Sequence, residues 1–338
     1  MKKKYKLLSL FSGAGGLDLG FEQAAVFETL AAIEMQREFH ETLTANKRNG
    51  YFKRAAILTS DVRYLDPKAV AEEYFLNGEV DGIIGGPPCE TFSVLGAQKG
   101  TSDPRGMLVF EFIRWVCAVR PRFCLMENVP PLEKLSGGSV LAELISQLNC
   151  AGYITTVGVL NAADYGAPTS RKRLFILGSL NGQIRLPEAT HGNVAKASGK
   201  LPHCTVREAF AGLPQPTLSE NIFPTWHRMV VHTDTVVDRF ALLQPGQRDP
   251  VRKRTRIKMN APSPAVFAGN LEGARTHIHP TEPRELTNRE TARLQGFPDE
   301  YQFSGGRVAV CKQIANAVPV PLALAIAKSI AVNLKSQA

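Results

Sequence analysis

From Tyr5 to about Leu180, short apolar runs alternate with amphipathic stretches. "KLLSLF", "ETLAAIE", "VDGIIGG", "FCLMENV", "TTVGVLNA" and "RLFILGSL" have the length of strands, whereas "LDLGFEQAA", "REFHETLTAN", "LVFEFIRWVCAVRP" and "VLAELISQLNCAGY" are spaced as helices. This rhythm predicts a mostly parallel sheet covered by helices on both faces, a doubly wound α/β domain. After Leu180 the periodicity weakens and prolines from Pro187 to Pro283 punctuate the chain, which reads as a smaller, loop-rich domain. "TNRETARLQGFP" then turns helical from Asn288, with Thr287 as cap and Glu290 at the capping-box spacing. The final "KQIANAVPVPLALAIAKSIAVNL" is so apolar that it needs a core, and the large core is that of the α/β domain. The expected division is therefore 1–180, completed by a C-terminal helix at about 306–338, and 181–305.

Composition narrows the class. A chain of 338 residues, 44% hydrophobic and 21% charged, suits about two globular domains and excludes a disordered protein. Its six cysteines form no C-x-x-C pair, so no zinc ribbon or redox motif is expected, and no metal. The basic start runs into an apolar stretch too short for the roughly 7 to 15 residues of a secretory h-region. With no uninterrupted apolar run near the ~18 residues of a membrane span, the reading is a reduced, cytoplasmic protein. A net charge of +9 favours a polyanionic partner. "RDPVRKRTRIK" concentrates it: Arg252, Lys253, Arg254, Arg256 and Lys258 would line one side of an extended segment along a phosphate backbone, a solvated loop being the alternative.

Several loops carry candidate chemistry. Gly13, Gly15 and Gly16, between the first strand and helix, let the backbone approach a ligand, although a tight turn explains them equally well. Glu34 after the second strand is placed to bind ribose hydroxyls, and Asp61 after the third to accept from an adenine amino group. Together they suit an adenosine-containing cofactor. Pro87 and Pro88 end an apolar run and present Cys89 on a partly locked loop. Glu127 and Asn128 follow the next strand, so a thiol and an acid share one crevice, as attack on an electrophilic ring carbon requires. Arg171 and Arg173, alternate residues entering a strand, can point to one side to bind phosphate, hold an anion or assist a thiolate.

In order and spacing, "FSGAGG", "GGPPCETFS", "ENV", "YGAPTSRKR", "RETARLQGFPD" and "KQIANAVPVP" resemble the motifs of the DNA cytosine-5 methyltransferase family, of bacterial and phage modification type. The resemblance covers nearly all of the chain outside roughly 181 to 260. It implies a Rossmann-like sheet that binds S-adenosylmethionine, and a target recognition domain that reads double-stranded DNA. Cys89 would be the nucleophile, Glu127 would contact the cytosine ring, and Arg171 and Arg173 would aid both. Phe11 and Leu108 would flank the adenine, Glu34 hold the ribose, and Asp61 with Val62 meet the adenine edge. Ala14, Met35, Gly86 and Pro88 would complete the cofactor site, Asn316 and Ala317 would close it, and Ser93 would touch DNA. The family position further implies a monomer, paired with a restriction endonuclease or orphan. Departures fall at Thr169, where glutamine is common, and at Ser9, Met35 and Ala317, where aspartate, an aromatic and serine are frequent. The rivals are a transfer RNA methyltransferase of the same fold, whose Cys-Phe-Thr tripeptide is missing; a non-catalytic regulator; and a nucleotide-dependent oxidoreductase, whose glycine spacing is missing.

Overall fold

Leu7, Leu8 and Leu10 of the first strand, β1 (Tyr5–Leu10), are all fully buried, as expected for a strand covered on both faces. The computed structural model describes residues 4–88, 108–193, 199–219, 223–267 and 276–336. The chain forms two compact units, the first comprising Met1–Leu160, Lys172–Glu188 and Ala323–Ala338. Its further strands are β2 (Phe27–Ile33), β3 (Ala56–Leu58), β4 (Gly82–Gly85), β5 (Phe123–Asn128) and β6 (Ile154–Asn161). After a two-residue strand in the second unit, β7 (Thr169–Ser170), comes β8 (Lys172–Ser179). The seven-stranded sheet has the order β3-β2-β1-β4-β5-β8-β6, parallel from β3 to β5, with β8 antiparallel to β5. The order reverses between β1 and β4, and there the carboxyl ends open the crevice that doubly wound sheets use for ligands.

The helices of this unit are α1 (Gly16–Gln23), α2 (Arg37–Arg48), α3 (Pro67–Tyr74), α4 (Leu108–Val119) and α5 (Ser139–Cys150). Val109, Phe112, Trp115 and Val116 of α4 join Leu8, Leu10, Ile83 and Ile176 of the strands in one buried cluster. Phe27 packs edge-on against Phe21 and Phe123, with ring centroids at 5.1 and 6.0 Å.

The second unit comprises Asn161–Arg171 and Ala189–Leu322. Besides β7 it holds β9 (His191–Gly192), β10 (Leu201–Pro202), β11 (Ser263–Pro264), α6 (Val206–Phe210), α7 (Asp234–Ala241), α8 (Asn288–Leu294) and α9 (Arg307–Asn316). Two small cores support it, Val206–Ile257–Leu286–Leu294 and Val236–Phe240–Ile278. Thr287 and Glu290 form the expected capping box at α8. Fully buried Arg289 donates to the carbonyls of Thr225, Pro298 and Tyr301, tying α8 to its surrounding loops.

The compact units differ from the expected division in three places. The exchange after β8 comes at 188/189, not at 180/181; residues 161–171 belong to the second unit; and so does α9. The last follows from a buried side chain, since Gln295 donates to the carbonyls of Ile314 and Ala317 and binds α9 to α8. The apolar C-terminal stretch is two helices, because Pro319 cannot continue α9. α10 (Val320–Ser336) carries the chain back to the sheet unit. A β-carbon on Gly20 of α1 would lie 2.4 Å from that of Ala323, so only glycine allows this approach. Taken together, Arg307–Ser336 has the length and apolarity of a membrane span, and 61% of its most apolar window is buried within the fold, as in a core helix.

Candidate active site

The glycine loop closes over the end of β1. Phe11 takes a left-handed φ of 53°, at a cost of roughly 1 to 2 kcal/mol for a residue with a β-carbon, while Gly13 and Gly15 at 57° and 76° adopt the same region freely. Ala14 is buried behind them, and Gly16 starts α1. Glu34, at the end of β2, accepts from the Gly13 amide at 2.9 Å and the Gln36 amide at 2.7 Å. Two backbone amides thus fix the carboxylate beside the loop, while burial raises its pKa. Met35 next to it is 55% exposed.

Asp61, after β3, caps a short 3-10 turn by accepting from the Arg63 amide at 3.0 Å. The Arg63 guanidinium returns to the same carboxylate, with Nη2 at 2.6 Å from Oδ2, and holds its pKa below the ordinary value. Val62 is buried, and its carbonyl accepts from Trp115 Nε1 at 3.1 Å and Arg114 Nη2 at 2.8 Å, both on α4. Leu108, the first residue of that helix, is buried as well. Sequence reasoning missed Arg63, Arg114 and Trp115; Arg63 alone had a signal, its place two residues after an acid.

The reactive end lies at β4 and β5. Glu127 pairs with Arg173, Nε to Oε1 at 2.6 Å, with side chains only 11% and 15% exposed. β5 and β8 run antiparallel with Glu127 opposite Phe175, and Arg173, two residues before Phe175 on the same face, reaches the acid diagonally. A β-carbon on Gly86 would lie 2.8 Å from Glu127 Oε2, so the missing side chain makes room for the carboxylate. Asn128 donates to the Pro87 carbonyl at 3.4 Å, linking the loop after β5 to the diproline. Pro88 is the last described residue there; Cys89 and Ser93 lie outside the described residues.

Arg171 and Arg173 are engaged differently. Arg171 is buried and donates to the carbonyls of Val266, at 2.8 Å, and Ala315, all within the second unit. Its neighbour Thr169 donates to the Pro264 carbonyl at 3.2 Å, beside the β7–β11 pairing. Arg171 is therefore engaged in joining segments of that unit. Exposed Asn316 and buried Ala317, at the end of α9, also belong to the second unit.

The expected basic stripe is broken. Arg256 is buried, its guanidinium bound to the carbonyls of Pro280, Phe240 and Leu243, and Arg254 is paired with buried Glu285. Arg252, Lys253 and Lys258 remain exposed. Extended alternation does not hold here because Lys253 has a left-handed φ of 55°, which turns the chain inside the cluster. Burial, followed by the charges of Arg252, Arg254 and Arg307, pushes the His232 pKa down to about 4, so this imidazole is neutral. Among the described residues, no group of three or more His, Cys, Asp or Glu side chains could hold a metal ion.

A crevice with an anchored glycine loop, two fixed acids and an acid–guanidinium pair next to a diproline can bind a nucleoside and polarise a heterocycle. The chain is 34% identical to the Type II methyltransferase M1.HphI of Haemophilus parahaemolyticus, over 96% of its own length and 86% of that protein. It is 33% identical to M.NgoFVII of Neisseria gonorrhoeae, over 97% and 86%. A crystal structure described as a DNA modification methyltransferase encoded within an E. coli prophage superposes with a TM-score of 0.79, at 26% identity, over 98% of this chain and 100% of the other. The S. pombe Dnmt2 methyltransferase shares the fold, with a TM-score of 0.66 at 18% identity, over 98% and 99%. The family model described as C-5 cytosine-specific DNA methylase matches residues 5–332, and the chain belongs to that family.

Proposed function

We propose that this DNA cytosine-5 methyltransferase acts on a flipped-out cytosine in duplex DNA, through a covalent bond between Cys89 and C6. C6 is inaccessible in a stacked duplex, so the base must leave the stack. A free thiol has a pKa of roughly 8.5, and the Cys89 thiolate is the form that adds to C6. Glu127 contacts N3 and the exocyclic amine and relieves the charge that builds on the ring, with Arg173 fixing its orientation. Bound S-adenosylmethionine supplies the electrophilic methyl group. With that group transferred to C5, the cofactor would leave as the neutral thioether S-adenosylhomocysteine, and loss of the C5 proton to a solvent base would restore the C5–C6 double bond as the Cys89 thiolate is eliminated. The glycine loop and Glu34 would hold the cofactor's ribose side, and Asp61 would meet its adenine amino group.

The observation that carries this reading is the Glu127–Arg173 pair standing against Gly86, three residues before the thiol. The relatives named as Type II methyltransferases support a restriction-modification role; the proposed place is beside an endonuclease that cuts the same sequence, as a cytoplasmic monomer. The test is transfer of tritiated methyl from S-adenosylmethionine to mixed-sequence duplex by the wild type and by Cys89→Ser. Label recovered as 5-methylcytosine, lost in the variant while duplex binding persists, is expected. Transfer that survives Cys89→Ser would overturn the nucleophile, and label in transfer RNA alone would overturn the substrate.

A further inference from the structure

We infer that Arg63 is a positioning residue that sets cofactor specificity, by holding Asp61 as an oriented anion toward a purine that carries a 6-amino rather than a 6-oxo group. The inference rests on the reading that Asp61 meets the adenine edge. Its basis is the redundancy of the contacts around that carboxylate. The turn is already secured without the guanidinium: Asp61 Oδ1 accepts from the Arg63 amide, and α4 holds the Val62 carbonyl through Arg114 and Trp115. Arg114 itself is braced by Glu111 at 2.7 Å and reaches the Leu65 carbonyl at 3.4 Å. Nevertheless Arg63 Nε lies 3.1 and 3.0 Å from the two Asp61 oxygens, and Nη2 lies 2.6 Å from Oδ2.

An ion pair with its cation 36% exposed adds little to stability. Its effect falls on Asp61, which it fixes in direction and whose charged form it favours further into the acid range. An ionised carboxylate only accepts, so it rewards an amino group and repels a carbonyl oxygen; a protonated one could satisfy either. The Arg63 amide, Nε and Nη2 occupy three of the roughly four acceptor sites of the Asp61 carboxylate, Nε being shared between its two oxygens, which leaves about one site for an incoming donor, and charge-assisted bonds are the stronger kind. The other charged or titratable groups around this turn are Tyr64, Glu111 and Arg114.

The test is calorimetric titration of wild type, Arg63→Gln, Arg63→Lys and Asp61→Asn with S-adenosylhomocysteine and with S-inosylhomocysteine, its 6-oxo counterpart. Arg63→Gln should bind the amino compound about tenfold more weakly, as loss of one charge-assisted bond predicts. It should also narrow the preference over the 6-oxo compound, and its acid limb of binding should move up toward the ordinary carboxylate range. Arg63→Lys should restore part of each effect. Asp61→Asn should erase the preference, and the double variant should lose no more than Asp61→Asn alone, because the two side chains act as a unit. If Asp61→Asn weakens binding while Arg63→Gln behaves as wild type, the inference falls and the adenine reading stands. Equal weakening of both compounds by Arg63→Gln, with no shift of the acid limb, reduces Arg63 to a structural role and also overturns it. If Asp61→Asn binds both compounds as wild type does, the adenine reading itself is wrong.

Discussion

Arg173 Nε lies 2.6 Å from Glu127 Oε1, linking the end of β5 to the start of the antiparallel β8. The cation fixes the direction of the acid, so removing either side chain has a different consequence. Glu127→Gln removes the acid and should lower single-turnover methyl transfer about 10²- to 10⁴-fold, the range for a positioned acid or base. Arg173→Ala leaves the acid in place but loose, and a smaller loss of about 10- to 100-fold is expected. Rapid-quench measurements on saturated enzyme would rank the two, and a larger effect at Arg173 would contradict this assignment.

Gly86→Ala separates catalysis from folding. Its β-carbon would meet only the end of the Glu127 side chain, at 2.8 Å, and such an atom can swing aside. Transfer should fall by at least about tenfold, the worth of one displaced hydrogen bond to a charge, while the melting temperature stays within a few degrees of wild type. A large drop in melting temperature would show that the backbone, and not the carboxylate, had to move.

Arg289 predicts the converse. Arg289→Ala would remove the guanidinium donors from the carbonyls of Thr225, Pro298 and Tyr301, the last of these bonds buried. Destabilisation of at least about 2 kcal/mol follows, about 4 to 8 °C in the melting temperature of a unit this size. Urea unfolding, followed by the fluorescence of Trp226 in a Trp115→Phe background, would read it.

Asp18 on α1 is wholly buried beside Ser9 and Thr29, and burial pushes its pKa up to about 7. The folded chain then holds a proton that the unfolded chain releases from about pH 4 upward, so stability should fall as pH rises from about 4 through 7 and level off above. Burial shifts Glu22 and Glu34 in the same direction, and a variant is needed to isolate Asp18. Asp18→Asn should flatten the decline and melt at a higher temperature than wild type at pH 8, but not at pH 5. Parallel melting curves across that range would rule the buried proton out.

The alternating runs foretold the α/β unit, the capping box at Thr287 and Glu290, and the places of Glu34, Asp61 and Glu127 at strand ends. These are legible because they depend on local period, local hydrogen bonds and chain order, which neighbouring residues determine among themselves. Tertiary structure decided how each charged side chain is used. Arg171 and Arg173 look equivalent two residues apart, yet one is engaged by carbonyls from distant segments and the other by Glu127. Arg256 reads as part of a basic surface until Phe240, Leu243 and Pro280 offer carbonyls to its buried guanidinium. A guanidinium has five donors and a long reach, so its partner is whichever acceptor the fold brings near, and nothing in the residues beside it says which.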